Sequence, residues 1–190
     1  AINVNYVQAG IASLDCIPGR MEYIKMGQDF EAVVDFAHTP NSLRELLLSV
    51  RNITTGRIIV VFGSAGLRDV SKRSWMGSIA AELADFTVIT AEDPRTESLF
   101  DIMAEIASGC EEIGGVEGNT FWKLPDRAEA IRFAVDMAKS GDIVLACGKA
   151  HEQSMCFGSI EYPWDDRMAM HAAVAERLGM KADYPPKLPT

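Results

Sequence analysis

The chain has 190 residues, 48% of them hydrophobic and 24% charged, with 18 Lys or Arg against 27 Asp or Glu and a formal net charge of −9. This is the profile of one ordinary globular domain, or one domain plus a fragment, large enough to bury a core without disulfide staples. The acidity argues against an electrostatic grip on nucleic acid, and no apolar run approaches the ~18 residues that a membrane span needs.

Residues 1–10 show neither a basic start nor an apolar core, so no signal peptide is expected. The four cysteines, Cys16, Cys110, Cys147 and Cys156, form no CxxC pair. That speaks against zinc and thioredoxin-type chemistry and fits structural thiols in a reducing cytoplasm.

The segment up to residue 18 reads as the end of something upstream. Gly19-Arg20-Met21-Glu22, YIKM, Gly27-Gln28-Asp29 and FEAVV then predict a β-hairpin leading into a first strand at Ala32–Asp35. Thr39-Pro40 supplies a helix cap and a proline at the first helical position, and Leu43, Leu46, Leu47 and Val50 continue at helical spacing. Arg57–Phe62 is a buried strand, Ser71–Leu83 a helix, Phe86–Thr90 a strand and Ser98–Glu112 a helix. Thr120–Leu124 is a weaker strand, Pro125–Lys139 a helix and Asp142–Cys147 the clearest buried strand. A hairpin around Gly158-Ser159, a helix at Asp165–Leu178 and a loose, proline-rich tail at 181–190 complete the chain. Near-continuous apolar strands alternating with amphipathic helices predict a Rossmann-like, doubly wound, mostly parallel α/β sheet with helices on both faces.

In such sheets ligands sit beyond the carboxyl ends of the strands, which singles out four loops. At the first, Asp35 could accept ribose hydroxyls and His38 could touch a phosphate; equally, they fit a capping carboxylate and a surface histidine. Gly63–Asp69 is small enough for close backbone approach, and Arg68, Lys72 and Arg73 are expected to converge on an anion, although a tight turn with solvated charges fits as well. In Glu92-Asp93-Pro94-Arg95, Arg95 could clamp a carboxylate and Asp93 could hold an ammonium, together suiting an amino acid; a helix-initiating turn is the plain alternative. The fourth loop, Gly148-Lys149-Ala150-His151-Glu152, gathers three ionisable groups at a strand end. No G-x-x-x-x-G-K-[ST] motif occurs, so the usual cradle for ATP phosphates is missing, and His38, His151 and His171 lack metal-ligand spacing.

Taken in order, these loops resemble the Mur ligases, and within them the UDP-N-acetylmuramoyl-tripeptide synthetases of MurE type. The resemblance rests on Gly19–Glu22, Asp35–Pro40, Arg68-Asp69 with Lys72-Arg73, Asp93–Glu97, Gly148–Glu152 and Asp165-Asp166-Arg167, and covers about residues 10–180. It implies that residues 19–180 form the C-terminal, amino-acid-binding domain and that residues 1–18 trail from a central ATPase domain. The upstream ATPase and UDP-binding domains of the same chain would be its partners. Arg20, Asp35 and His38 would then serve the ATP side. Arg68 would hold a carboxylate of the incoming amino acid, Glu92, Asp93, Pro94 and Arg95 would form the recognition motif, and Gly148 and Glu152 would bind the distal end of a diamino acid.

The implied reaction is ATP-dependent amide formation on UDP-N-acetylmuramoyl-L-alanyl-D-glutamate, with ATP and Mg2+ bound mainly by the central domain. This chain would supply no catalytic residue and no metal site. Three departures bear on the donor. Glu92-Asp93-Pro94-Arg95 stands where the diaminopimelate type has Asp-Asn-Pro-Arg. Ala150 replaces a glycine, so a methyl group is expected near the site, and Leu67 replaces an acidic residue. Arg95 favours a second carboxylate and Asp93 an extra ammonium, which leaves meso-diaminopimelate, lysine and ornithine open. Rival readings are another Mur-type, folylpolyglutamate or cyanophycin-like ligase, or a non-catalytic α/β anion-binding module.

Overall fold

The computed structural model describes residues 2–14 and 16–190. Strands β1 (Glu22–Ile24), β2 (Glu31–Asp35), β3 (Ile58–Phe62), β4 (Phe86–Ile89), β5 (Phe121–Lys123) and β6 (Ile143–Cys147) form one sheet in the order β1-β2-β6-β3-β4-β5. Only β1 runs antiparallel, pairing Tyr23 with Val33; the other four pairings are parallel. A separate antiparallel hairpin pairs β7 (Ser154–Phe157) with β8 (Ile160–Pro163).

The central strands β3 and β6 are buried at every position, which is why they read as unbroken apolar runs. Their side chains still alternate between two cores. Ile58, Val60, Phe62, Ile143, Leu145 and Cys147 face helices α2 (Pro40–Ile53), α3 (Lys72–Leu83) and α4 (Leu99–Glu112). Ile59, Val61, Val144 and Ala146 face α5 (Arg127–Met137) and α6 (Asp166–Arg177) on the opposite side.

Helix starts follow from the sequence. Thr39 and Ser42 exchange bonds in a capping box ahead of Pro40, while Ser98, Asp126 and Asp165 cap α4, α5 and α6 with their side-chain oxygens. The chain passes outward from β2 through β3 and β4 to β5 along the first face. It then returns through α5 to insert β6 between β2 and β3. Strand order therefore reverses at β6, and the loops after β2, β3, β4 and β6 diverge there to open a crevice.

The N-terminal segment forms a helix, α1 (Val4–Ala12), that the sequence reading did not foresee; it buries none of its residues. Of the segment 1–18, Ala1 and Asp15 lie outside the described residues. The tail at 181–190 forms no helix or strand, yet Leu188 is buried in the α5–α6 core and the Tyr184 hydroxyl donates to Glu176 at 2.5 Å. Among the described residues no helix is long and apolar enough to cross a membrane.

Candidate functional site

A cleft of about 810 Å3 opens at the carboxyl edge of the sheet. Arg68, Glu92, Asp93, Arg95, Gly148 and Glu152 all line it, together with His38 from the β2 loop. Four separate loops therefore bring the candidate residues together. Arg20, Asp35 and Pro94 do not line it.

Beneath the cleft lies a fully buried ion pair. Arg127 Nε and Nη2 donate to the two oxygens of Asp166, both at 2.7 Å. The guanidinium also donates to the carbonyls of Ala91 (3.0 Å) and Cys147 (2.7 Å), tying the ends of β4 and β6 together. Asp166 further accepts from Trp164 Nε1 at 2.8 Å and from the Ala150 amide at 3.2 Å. With so many partners satisfied, this pair fixes the floor on which the β4 and β6 loops stand. Sequence reasoning gave Asp166 no such role and did not single out Arg127. The signal for both was a charged residue within the first turn of an otherwise apolar-faced helix.

The β4 loop holds Asp93 and Arg95 at positive φ, +41° and +54°. The β7–β8 hairpin secures them there. Arg95 donates its amide to Cys156 O at 3.0 Å and accepts from the Gly158 amide at 2.7 Å, while Asp93 Oδ1 accepts from the Cys156 amide at 2.8 Å. The Asp93 carboxylate also receives Lys149 Nζ at 2.9 and 3.0 Å, and Lys149 reaches on to Glu152 at 2.5 Å. The ammonium expected beside Asp93 is thus the protein's own. Arg95 makes only one side-chain bond, to Gly66 O at 3.2 Å, and neither Arg95 nor Arg68 meets a carboxylate among the described residues. These two guanidiniums, with the Lys72 ammonium that donates to His38 O at 2.8 Å, are the cations lining the cleft that meet no carboxylate among the described residues.

Two further expectations change. Arg73 points inward, nearly fully buried, and is bound by Glu97 at 2.8 Å and Glu105 at 2.9 Å, so it does not join Arg68 and Lys72 at an anion. The carboxylates of Glu97 and Glu105 draw it inward, and it reaches the Ala65 carbonyl at 3.4 Å. The Ala150 methyl is fully buried in the α5–α6 core and does not line the cleft. Its backbone still carries the strain of a lost glycine, at φ +40°.

On the β2 side, each Asp35 oxygen accepts one backbone amide, from Met21 at 2.8 Å and Ala37 at 2.9 Å. The carboxylate thereby folds the hairpin against the loop that carries His38. His38 donates Nδ1–H to Phe36 O at 2.8 Å, which leaves Nε2 bare. The Arg20 guanidinium lies 4.5 Å from the centre of the Phe36 ring.

Glu92 is the anomaly of the site. It is 5% exposed, and Oε2 has no hydrogen-bond partner among the described residues. Burial pushes its carboxyl up to about 7 even though Arg127, Lys72 and Lys149 pull the other way. An unfolded glutamate has its ordinary value of 4.5, so native stability falls as pH rises from there to about 7. We expect the stability advantage of Glu92→Gln over the parent to grow by about 3 kcal/mol between pH 4 and pH 8 in urea unfolding; a constant difference would place the titration elsewhere.

Gly148 is required by this arrangement. Its φ is +105°, and a Cβ there would stand 2.2 Å from Glu92 Oε2. Gly148→Ala should therefore cost about 1–3 kcal/mol in stability. Adding Glu92→Ala should recover the part due to the clash and leave the part due to φ. A double variant no more stable than Gly148→Ala alone would show that the clash is unimportant.

Fold and site together define a doubly wound α/β domain with a ligand cleft of mixed charge at its switch point. The family model for the Mur ligase, glutamate ligase domain matches residues 19–150, and the chain belongs to this family. It is 47% identical over 169 residues to the UDP-N-acetylmuramyl-tripeptide synthetase of Roseiflexus sp. (strain RS-1), covering 87% of this chain and 33% of that protein. It is 41% identical over 166 residues to the UDP-N-acetylmuramoyl-L-alanyl-D-glutamate–2,6-diaminopimelate ligase of Syntrophomonas wolfei, with the same shares covered, 87% and 33%. A solved structure of a ligase of that second name superposes with a TM-score of 0.76 at 30% identity, over 92% of this chain and 37% of that one. The chain spans about a third of the length of the relatives it matches.

Proposed function

We propose that this chain is the amino-acid-binding domain of an ATP-dependent, amide-forming ligase that adds a diamino acid to UDP-N-acetylmuramoyl-L-alanyl-D-glutamate in peptidoglycan synthesis. Residues 19–180 are the domain itself, and residues 1–18 lead into it from an upstream ATPase domain that holds the phosphates and Mg2+. The observation that carries the reading is the pair of uncommitted guanidiniums, Arg68 and Arg95, facing one cleft with the carboxylates of Glu92 and Glu152. A diamino acid presents both signs of charge in matching positions.

In this reading Arg68 takes the carboxylate beside the reacting amine. Arg95 takes a distal carboxylate, and Glu152 takes the distal ammonium: one Lys149 shared between Asp93 and Glu152 leaves a net negative charge, and the Glu152 side chain is the more exposed of the two, 40% against 17%. Asp93 acts through Lys149 and the hairpin instead of touching the donor, and Pro94 and Gly148 shape the loops. Because Asp93 is already neutralised and Arg95 is not, a donor with a second carboxylate, meso-diaminopimelate, fits better than lysine or ornithine.

The β2 side suits an anionic nucleotide. The Arg20 guanidinium over the Phe36 ring supplies a cation there and His38 a ring nitrogen for hydrogen bonding, with Asp35 holding the loops that carry both. The proposal assigns Mg2+ mainly to the upstream domain, as the family resemblance implies. ATP supplies the phosphoryl group that activates the acceptor carboxylate as an acyl phosphate. This domain's contribution is to orient the donor and exclude water as it closes.

The test is an amine-donor screen with the full-length protein, ATP and the UDP-linked dipeptide. ATP-dependent tripeptide formation with meso-diaminopimelate ahead of lysine and ornithine is expected. No amide product with any diamino acid would leave the anion-binding module as the better reading.

A further inference from the structure

We propose that Glu92 is the proton acceptor for the amine donor, a catalytic residue on the floor of the cleft; this deepens the ligase reading above and rests on it. An amino acid reaches the enzyme as an ammonium, which has no lone pair to attack with, so a base must take one proton before the amide bond can form. The cleft offers several carboxylates, and their surroundings separate them. Asp93 is held by Lys149 and the Cys156 amide, and Glu152 is held by Lys149. Asp69 accepts from both the amide and the hydroxyl of Ser71. Glu92 alone among these lining carboxylates is nine-tenths buried with an oxygen that no protein group satisfies.

The fold makes room for this carboxyl at a cost. Gly148 flanks it, where a Cβ would collide with Oε2 at 2.2 Å. Buried polar side-chain atoms are as a rule hydrogen-bonded, and Glu92 Oε2 is one of three exceptions among the described residues, with Ser64 Oγ and Arg73 Nε, and the only carboxylate among them. The groups facing it are Arg127 from α5, Lys72 from α3, Lys149 and the Cys147 thiol from the end of β6, and Asp93 from its own loop. The three cations keep the carboxyl from remaining protonated far above neutrality, while burial keeps it from being fully ionised below it. A base poised near the working pH exchanges protons efficiently in both directions.

The donor ammonium gives one proton to the Glu92 carboxylate, leaving a neutral amine and a carboxylic acid. The amine lone pair forms the C–N bond to the acyl carbon, and the C–O bond to the phosphoryl group breaks with its electron pair on oxygen. The second amine proton leaves on the phosphate. Glu92 returns its proton to water when the product departs.

The test compares two nucleophiles in the full-length enzyme with ATP and the UDP-linked dipeptide. Hydroxylamine is already neutral at about pH 7.5 and needs no base, whereas the amino-acid donor is an ammonium there. For Glu92→Gln, the ratio of hydroxamate to amide product should rise about 100-fold or more over the parent. The deficit in amide formation should shrink as pH is raised and free amine accumulates. Glu92→Asp, which keeps a carboxylate, should recover part of the loss. An unchanged product ratio, or a deficit independent of pH, would overturn the proposal. A parent enzyme that forms neither hydroxamate nor amide would sink the ligase reading itself, and this one with it.

Discussion

In the full-length enzyme, Arg95→Ala is expected to lower kcat/KM for a donor with a distal carboxylate by roughly 30- to 1000-fold. The estimate follows from losing one charge-assisted guanidinium–carboxylate pair in a half-buried cleft, about 2–4 kcal/mol, where about 1.4 kcal/mol is tenfold. The side chain has little else to do: its one bond is to the Gly66 carbonyl at 3.2 Å. The loop is held mainly by the Arg95 backbone against the hairpin and by Asp93 through Lys149 and Cys156, none of which the substitution touches. Turnover of lysine or ornithine should therefore fall far less, and ATP affinity should hardly change, because the nucleotide is proposed to bind at Arg20 and His38. Steady-state kinetics with the three donors decide the matter. Equal losses for all of them would mean that Arg95 supports the loop and does not read the donor.

The largest effect on stability is expected at the buried pair under the cleft. Arg127→Met alone leaves the Asp166 carboxylate buried opposite an apolar side chain, and Asp166→Leu leaves the guanidinium without its counter-charge. Each should destabilise the chain by about 3–5 kcal/mol in urea unfolding. Both residues are fully buried, and the guanidinium carries the carbonyls at the ends of two strands, so no solvent is at hand to compensate. The double variant Arg127→Met/Asp166→Leu removes both charges and should be more stable than either single one. A double variant as unstable as the sum of the two would show that the carbonyl bonds, and not the charge balance, are what the core requires.

The fold was legible because its signals are local and repeated. Runs such as IIVVF and IVLAC are short, β-branched and bounded by turn signals, which marks them as strands covered on both faces, and Thr39-Pro40, Ser98 and Asp126 mark helix starts by their own chemistry. The clustering of Arg68, Asp93, Arg95 and Glu152 was legible too, since one topological rule sends every strand-end loop to the same edge. Individual roles were not, because they depend on which partner each charge finds in three dimensions. Asp93 read as a free anion until Lys149, 56 residues later, was seen to neutralise it. Arg73 read as a surface cation until Glu97 and Glu105 were seen to draw it inward. The hairpin at β7–β8 was foreseen as a hairpin, but its backbone grip on Arg95 carries no sequence signature. Helix α1 escaped because it has no apolar stripe seated on a core: every turn is exposed.

The amino-acid donor is expected in the cleft at the β4 and β6 strand ends. A crystal structure of the full-length protein with meso-diaminopimelate should show it between the Arg68 and Arg95 guanidiniums, with its ammonium groups toward Glu92 and Glu152 and the Asp93–Lys149 pair intact. A donor bound away from this cleft, or one that displaces Lys149 to reach Asp93 while Arg95 stays unpaired, would contradict it.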